Sequence, residues 1–118
     1  MKQIIIVEDD ASIKEIMTII LTKAGYSITS FSYAAPILDN NFRPPDAFIL
    51  DKQLPDADGL DLCYFLKTQT ATKNIPVIMV SANPNIIALA NKALADDALE
   101  KPFKRKDLVD MVTKHVGV

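Results

Sequence analysis

Five short apolar runs, separated by segments with helix-like spacing, constrain the fold of this chain more than any other feature. The first run, residues 4–7, is β-branched and continuous, which is typical of a strand covered on both faces. After it, apolar residues from Ile13 to Ala24 keep helical spacing, and Gly25 stands where a helix end favours a left-handed residue. This alternation predicts an α/β domain built around a parallel sheet.

The rest of the chain predicts four more strands, each followed by a helix. The strands are expected at 26–31, 47–50, 77–80 and 98–99, and the helices at 34–40, 60–68, from 83 onward and around 108–116. The more polar strand at 26–31 is expected at an edge of the sheet. Asn83-Pro84 is interpreted as the N-cap and first-turn proline of the fourth helix. The predicted order is (βα) five times.

Composition and charge exclude several classes of protein. The chain has 118 residues, of which 49% are apolar, as expected for one globular domain. A net charge of -2 gives no electrostatic reason for direct nucleic-acid or membrane binding. No apolar run approaches the roughly 20 residues that span a bilayer, and no signal peptide is recognisable. Cys63 is the only cysteine, which favours a reducing compartment, so we expect a cytoplasmic protein.

Polar or charged residues stand where four of the predicted strands end: Glu8 and Asp9, Asp51, Ser81, and Lys101. In an open parallel sheet the binding crevice lies outside the carboxyl ends of the strands. For the flavodoxin-like order 2-1-3-4-5, the switch point falls between the first and third strands. Glu8, Asp9 and Asp51 should therefore meet, provided that the chain leaves its strand at this point so that two successive side chains face the crevice.

The residue types at this edge indicate phosphoryl chemistry. Carboxylates crowded into one site repel each other unless a cation neutralises them, and oxygen ligands of this kind suit Mg²⁺. A carboxylate such as Asp51 can act as a nucleophile toward phosphorus. Lys101 would supply a point charge to the phosphoryl oxygens, and Ser81 would donate a hydrogen bond to them.

Four motifs occur in a fixed order along the chain: Ile-Ile-Val-Glu-Asp-Asp at 5–10, Asp51 followed by Leu-Pro-Asp-Ala-Asp-Gly at 54–59, Ser81-Ala82, and Lys101-Pro102-Phe103. Together they resemble the receiver domain of two-component response regulators, from Ile4 to about Val116. The resemblance implies one CheY-like receiver domain over residues 1–118. Its fold would be a flavodoxin-like (βα)5 three-layer sandwich, with a five-stranded parallel sheet of order 2-1-3-4-5.

The resemblance also implies a role for each motif. Asp51 would be the phosphoacceptor. The Mg²⁺ ligands would be the side chains of Glu8, Asp9 and Asp51 and the backbone carbonyl of Gln53. The phosphoryl group would be contacted by Ser81, the Ala82 amide and Lys101. The Lys101-Pro102 peptide bond is commonly cis in such domains.

Partners follow from the same resemblance. Receiver domains take the phosphoryl group from a sensor histidine kinase or a histidine phosphotransfer protein, catalyse that transfer themselves and later hydrolyse the aspartyl phosphate. They are signalling modules rather than conventional enzymes. The signal would pass to a downstream protein or to an output domain absent from this chain. The resemblance leaves open whether the domain forms a homodimer through the last two helices. Direct nucleic-acid binding by this domain is not expected.

Three residues depart from the family pattern. Ala98 stands where an aromatic switch residue is usual, Leu94 where glycine is frequent, and Lys52 where an apolar residue is common. These departures leave open the alternative that the chain is a pseudo-receiver, which signals by contact without phosphorylation. A Mg²⁺-dependent phosphohydrolase ranks lower, because no insertion for an external substrate is recognisable. Simpler roles are expected for Cys63, as a buried apolar residue, for Asp10, as a helix cap, and for Asp56 and Asp58, as turn residues.

Overall fold

A computed structural model describes residues 1–117 and contains one parallel sheet of order β2-β1-β3-β4-β5. The strands are β1 (Gln3–Val7), β2 (Ser27–Phe31), β3 (Ala47–Asp51), β4 (Val77–Ser81) and β5 (Asp97–Glu100). The helices are α1 (Ala11–Lys23), α2 (Ala35–Leu38), α3 (Gly59–Thr68), α4 (Ile86–Lys92) and α5 (Arg105–Val116). The predicted fold class, the strand order and the edge position of β2 are confirmed.

The sheet lies between two apolar layers, which explains the continuous apolar strands. On β1, Ile4 and Ile6 face the layer that α1 and α5 cover, whereas Ile5 and Val7 face the layer covered by α2, α3 and α4. All four side chains are buried. Successive strand residues point to opposite faces, so a strand with both faces covered must be apolar throughout.

Helix α4 begins later than the sequence predicts. The Asn83 side chain accepts a hydrogen bond from the Asn85 amide (2.9 Å), and the Ile86 amide donates to the Asn83 carbonyl (3.1 Å). Pro84 therefore lies in a turn before the helix, and Asn85 takes the N-cap position. The prediction of a helix starting at Asn83-Pro84 was wrong because asparagine and proline favour such turns as strongly as helix starts.

Several local predictions are confirmed. Asp10 caps α1 by accepting a hydrogen bond from the Ile13 amide (3.0 Å), and Gly25 has a positive φ of 100° just after α1. Cys63 is buried, and its burial raises the pKa of the thiol to about 12. None of the helices within residues 1–117 has the length and apolar character needed to span a bilayer.

Leu94 lies in the loop between α4 and β5 with a φ of 69°, in the left-handed region. Its side chain is about half exposed, so little burial offsets the backbone strain. For an L-residue with a Cβ atom this conformation costs roughly 1–2 kcal/mol, whereas glycine adopts it freely. The residue that departs from the family pattern here is therefore also a strained one.

We expect the Leu94→Gly variant to be more stable than the Leu94→Ala variant by about 1 kcal/mol, because only the Cβ atom conflicts with this backbone conformation. Urea denaturation followed by circular dichroism measures the difference. The matched comparison of Ala88→Gly with the wild type, at an exposed position in the interior of α4, should show the opposite order, since glycine weakens a helix interior. Equal stability of the two Leu94 variants would show that the loop carries no such strain.

Candidate functional site

The carboxyl ends of β1, β3 and β4, together with the residues after β5, surround an open cleft of about 700 Å³. Every site residue predicted from the sequence lines it: Glu8, Asp9, Asp51, Gln53, Ser81, Ala82 and Lys101. Parallel strands end at a common edge, which brings together residues from distant parts of the chain.

Three carboxylates form the acidic part of the cleft. Glu8, Asp9 and Asp51 each place one carboxylate oxygen within 4.8 Å of the others. The condition for Glu8 and Asp9 to share the cleft is met, because β1 ends at Val7 and both residues lie beyond the strand. Glu8 is fully buried and Asp51 is 6% exposed, whereas Asp9 is exposed. The cluster therefore extends from the protein interior to solvent.

Lys101 provides the cation that this cluster requires. Its Nζ atom lies 2.6 Å from Glu8 Oε1 and 3.0 Å from Asp51 Oδ1. Burial disfavours the charged amine, but the hydrogen bonds to Glu8 and Asp51 outweigh burial and raise the pKa of Lys101 above its usual value. One ammonium thus bridges the ends of β1 and β3 from the residue that follows β5.

Glu8 is the most perturbed carboxyl group of the cleft. Burial raises the pKa of Glu8 to about 7, the hydrogen bond from Lys101 opposes this rise, and the charge of Asp51 adds to it. Because burial penalises an isolated carboxylate, the hydrogen bond from Lys101 stabilises the ionised form of Glu8 against the effect of burial. The sequence marks Glu8 as a candidate ligand but does not reveal that it is buried.

Ser81 and the turn after it line the cleft at the end of β4, the strand that pairs with β3. Ser81 is the last residue of β4 and is buried, and its Oγ atom accepts a hydrogen bond from the Asn83 amide (3.1 Å). The Ser81 carbonyl accepts a hydrogen bond from the Lys101 amide (2.8 Å). This backbone contact fixes Lys101 next to Ser81. The Lys101-Pro102 peptide bond is cis, as the family resemblance implies.

The loop from β3 to α3 carries Gln53 and is held closely against Asp51. The Gly59 amide donates to the Lys52 carbonyl (2.6 Å), and a Cβ atom at Gly59 would lie 1.9 Å from the Asp51 carbonyl oxygen. Only glycine fits this position. Asp56, expected only as a turn residue, also joins two loops, since its carboxylate accepts hydrogen bonds from the amides of Ala34 and Ala35.

Lys52 lines the same cleft from the side of this loop. Its Nζ atom lies 3.1 Å from Asp58 Oδ2, and the Lys52 side chain is 20% exposed. Asp58 Oδ1 accepts a hydrogen bond from the Leu60 amide (2.8 Å) and so caps α3. The sequence predicted Asp58 as a turn residue and predicted neither the cap nor the ion pair. Lysine and aspartate six residues apart in a loop give no periodic signal.

Comparison with known proteins yields a family match over most of the chain. The family model described as response regulator receiver domain matches residues 4–113. The DNA-binding response regulator MtrA of Mycolicibacterium paratuberculosis is 34% identical over 115 residues, which cover 94% of this chain and 49% of that protein. The chain thus spans about half the length of the curated relatives it matches.

Solved structures are similar over nearly the whole chain. A candidate response regulator from Chloroflexus aurantiacus J-10-fl has a TM-score of 0.92 at 29% identity, covering 99% of this chain and 98% of that one. The receiver domain of a sensor histidine kinase from Pseudomonas aeruginosa PAO1 has a TM-score of 0.88 at 25% identity, with coverage of 99% and 98%. That crystal structure contains a magnesium ion coordinated in the active site cleft.

We expect Lys101→Met to lower the free energy of unfolding by about 3 kcal/mol at neutral pH, because Glu8 and Asp51 would then lose their common cation. Urea denaturation in the presence of a chelator measures the change. Lys106→Met is the matched control: Lys106 pairs with Asp110 on the exposed face of α5, so its loss should leave stability nearly unchanged. Similar effects of the two substitutions would contradict the importance of the buried ammonium.

Proposed function

This chain belongs to the response regulator receiver domain family, and on that premise we propose that Asp51 accepts a phosphoryl group from a phosphohistidine of a partner protein. The observation that carries this proposal is the Lys101 ammonium, 3.0 Å from Asp51 Oδ1 in a cleft that Glu8 and Asp9 share. The Asp51 carboxylate, which would be the nucleophile, thus lies close to a cation and to the further oxygen atoms of Glu8 and Asp9. This proximity supports the proposal.

The proposed reaction transfers the phosphoryl group from a histidine nitrogen to an oxygen of Asp51. One oxygen of the Asp51 carboxylate forms a bond to phosphorus while the phosphorus–nitrogen bond of the donor histidine breaks. The electron pair stays on the imidazole, which takes up a proton from water. The barrier to such a transfer falls mainly through positioning and through neutralisation of the phosphoryl oxygens, so the chain needs few reacting groups of its own.

The acidic residues fit a divalent cation. Three carboxylates with oxygens within 4.8 Å of one another are hard ligands, and Mg²⁺ typically takes one or two carboxylates with waters and a phosphate oxygen. We assign Glu8, Asp9, Asp51 and the Gln53 carbonyl as its ligands, directly or through water. When bound, Mg²⁺ would neutralise negative charge on the phosphoryl group.

The other assigned residues bind the phosphoryl oxygens. Lys101 would redirect its ammonium from the carboxylates to a phosphoryl oxygen, which its flexible stem allows. The Ser81 hydroxyl would donate a hydrogen bond from the end of β4, and the Ala82 amide would donate another. Both residues line the cleft, at the end of the strand next to the one that carries Asp51. Asp51, Ser81 and Lys101 are therefore the proposed catalytic residues.

The proposed role is that of a cytoplasmic signalling domain. A sensor histidine kinase or a histidine phosphotransfer protein would be the phosphodonor, and a downstream protein or an output domain outside this chain would receive the signal. Movement of Ser81 toward the phosphoryl group would start the response. Position 98 carries a nearly buried alanine, so any response that passes through β5 would lack the usual aromatic side chain.

A pseudo-receiver that signals by contact alone is the second candidate. Ala98, Leu94 and Lys52 favour it because each departs from the family pattern. The complete set of cleft residues favours phosphorylation instead. A Mg²⁺-dependent phosphohydrolase acting on an external substrate remains a lower-ranked alternative, since it would use the same Asp51 chemistry.

Incubation with acetyl phosphate and Mg²⁺ should add one phosphoryl group, detected by intact-mass spectrometry. The adduct should be absent without Mg²⁺ and at least tenfold less abundant in Asp51→Asn, because an amide is a poor nucleophile. Asp61→Asn, at an exposed position of α3, is the matched control and should be phosphorylated normally.

Rapid hydrolysis could hide the adduct, so beryllofluoride binding is measured in parallel. Absence of both the adduct and Mg²⁺-dependent beryllofluoride binding would contradict the proposal and favour the pseudo-receiver. Release of inorganic phosphate from several phosphomonoesters, with many turnovers per protein, would favour the phosphohydrolase.

A further inference from the structure

Lys52 and Asp58 form an ion pair at the edge of the acidic cleft. We propose that Asp58 holds the Lys52 ammonium away from Glu8, Asp9 and Asp51, and that without Asp58 this ammonium turns into the cleft and competes with the divalent cation. The inference rests on the proposed Mg²⁺ site. It assigns to Lys52 and Asp58 the control of cation affinity at that site.

The position of Lys52 makes it a competitor for the cation. Lys52 directly follows Asp51 in the chain and lines the cleft. Its side chain is partly exposed, so rotation about its flexible four-carbon stem does not require the core to open. Among the residues that the structure describes, Lys101 is the only lysine whose ammonium lies within 4 Å of Glu8 or Asp51, and no ammonium lies that close to Asp9. A second ammonium would therefore be attracted to the cleft.

The fold of the loop does not need the ion pair. Backbone hydrogen bonds close the loop where the Gly59 amide meets the Lys52 carbonyl and the Leu54 amide meets the Ala57 carbonyl. Asp56 holds the loop to the start of α2, and Asp58 caps α3 through its other oxygen, Oδ1. Removal of the charge on Asp58 should therefore change the electrostatics of the cleft and leave the loop in place.

The substitution Asp58→Asn isolates the charge, because asparagine caps a helix about as well as aspartate does. It should weaken Mg²⁺ binding roughly fivefold at low ionic strength, because the released Lys52 ammonium would lie beside the carboxylates, and a unit charge about 8 Å from a divalent cation is worth about 1 kcal/mol in water. In a Lys52→Met background the same substitution should have a clearly smaller effect, since only the direct loss of the Asp58 charge remains and Asp58 itself does not line the cleft.

The experiment is an amide NMR titration with MgCl₂ of the wild type, Asp58→Asn, Lys52→Met and the double variant. Asp58→Ser, which also caps a helix, replaces Asp58→Asn if that variant is unfolded by circular dichroism. Asp61→Asn is the matched control, because it removes the same charge from the first turn of α3. Repetition at high salt should reduce the effect of Asp58→Asn, whereas a change in loop structure would persist.

The outcomes separate this inference from the proposed function. Wild-type Mg²⁺ binding that Asp58→Asn weakens clearly more when Lys52 is present than in the Lys52→Met background supports the inference. Equal weakening in both backgrounds overturns it, because a direct effect of Asp58 does not depend on Lys52. No effect in either background overturns it as well, with the proposed function intact. Absence of Mg²⁺ binding to the wild type overturns both.

Discussion

The arrangement of the cleft depends on the two ion pairs that the Lys101 ammonium forms with Glu8 and Asp51. Glu8 is fully buried, and a buried carboxylate without a cation is very costly. Because Lys101 follows β5 while Glu8 and Asp51 belong to the ends of β1 and β3, one side chain connects three parts of the sheet. Under the proposed function, a divalent cation and a phosphoryl group would bind here, where one ammonium only partly offsets three carboxylates.

The loop from β3 to α3 combines two requirements that different groups satisfy. Its shape comes from the backbone and from Gly59, whose missing Cβ atom allows the helix start to lie against the Asp51 carbonyl. Its charge comes from the Lys52–Asp58 pair at the edge of the cleft. Because different groups determine the shape and the charge of this loop, the charge at the edge of the cleft can vary without a change in the position of Asp51.

Sequence patterns predicted most of the fold because the information is local. Continuous β-branched runs indicate strands covered on both faces, and helical spacing between them indicates the crossover helices. The start of α4 was misplaced, since Asn83-Pro84 is compatible with a turn as well as with a helix start. The positive φ of Leu94 was not predicted, although Leu94 stands where the family frequently has glycine, the residue that adopts such a backbone angle freely.

By itself, the sequence determined which residue types stand at the strand ends, and hence the carboxylates, the hydroxyl group and the lysine that meet at one edge of the sheet. Only the tertiary structure decided how these groups balance each other. Glu8 and Lys101 are 93 residues apart, and their contact excludes water from a carboxylate that the sequence presents as an ordinary acidic residue. Charge interactions depend on distance and on exclusion of solvent, and both are properties of the folded chain.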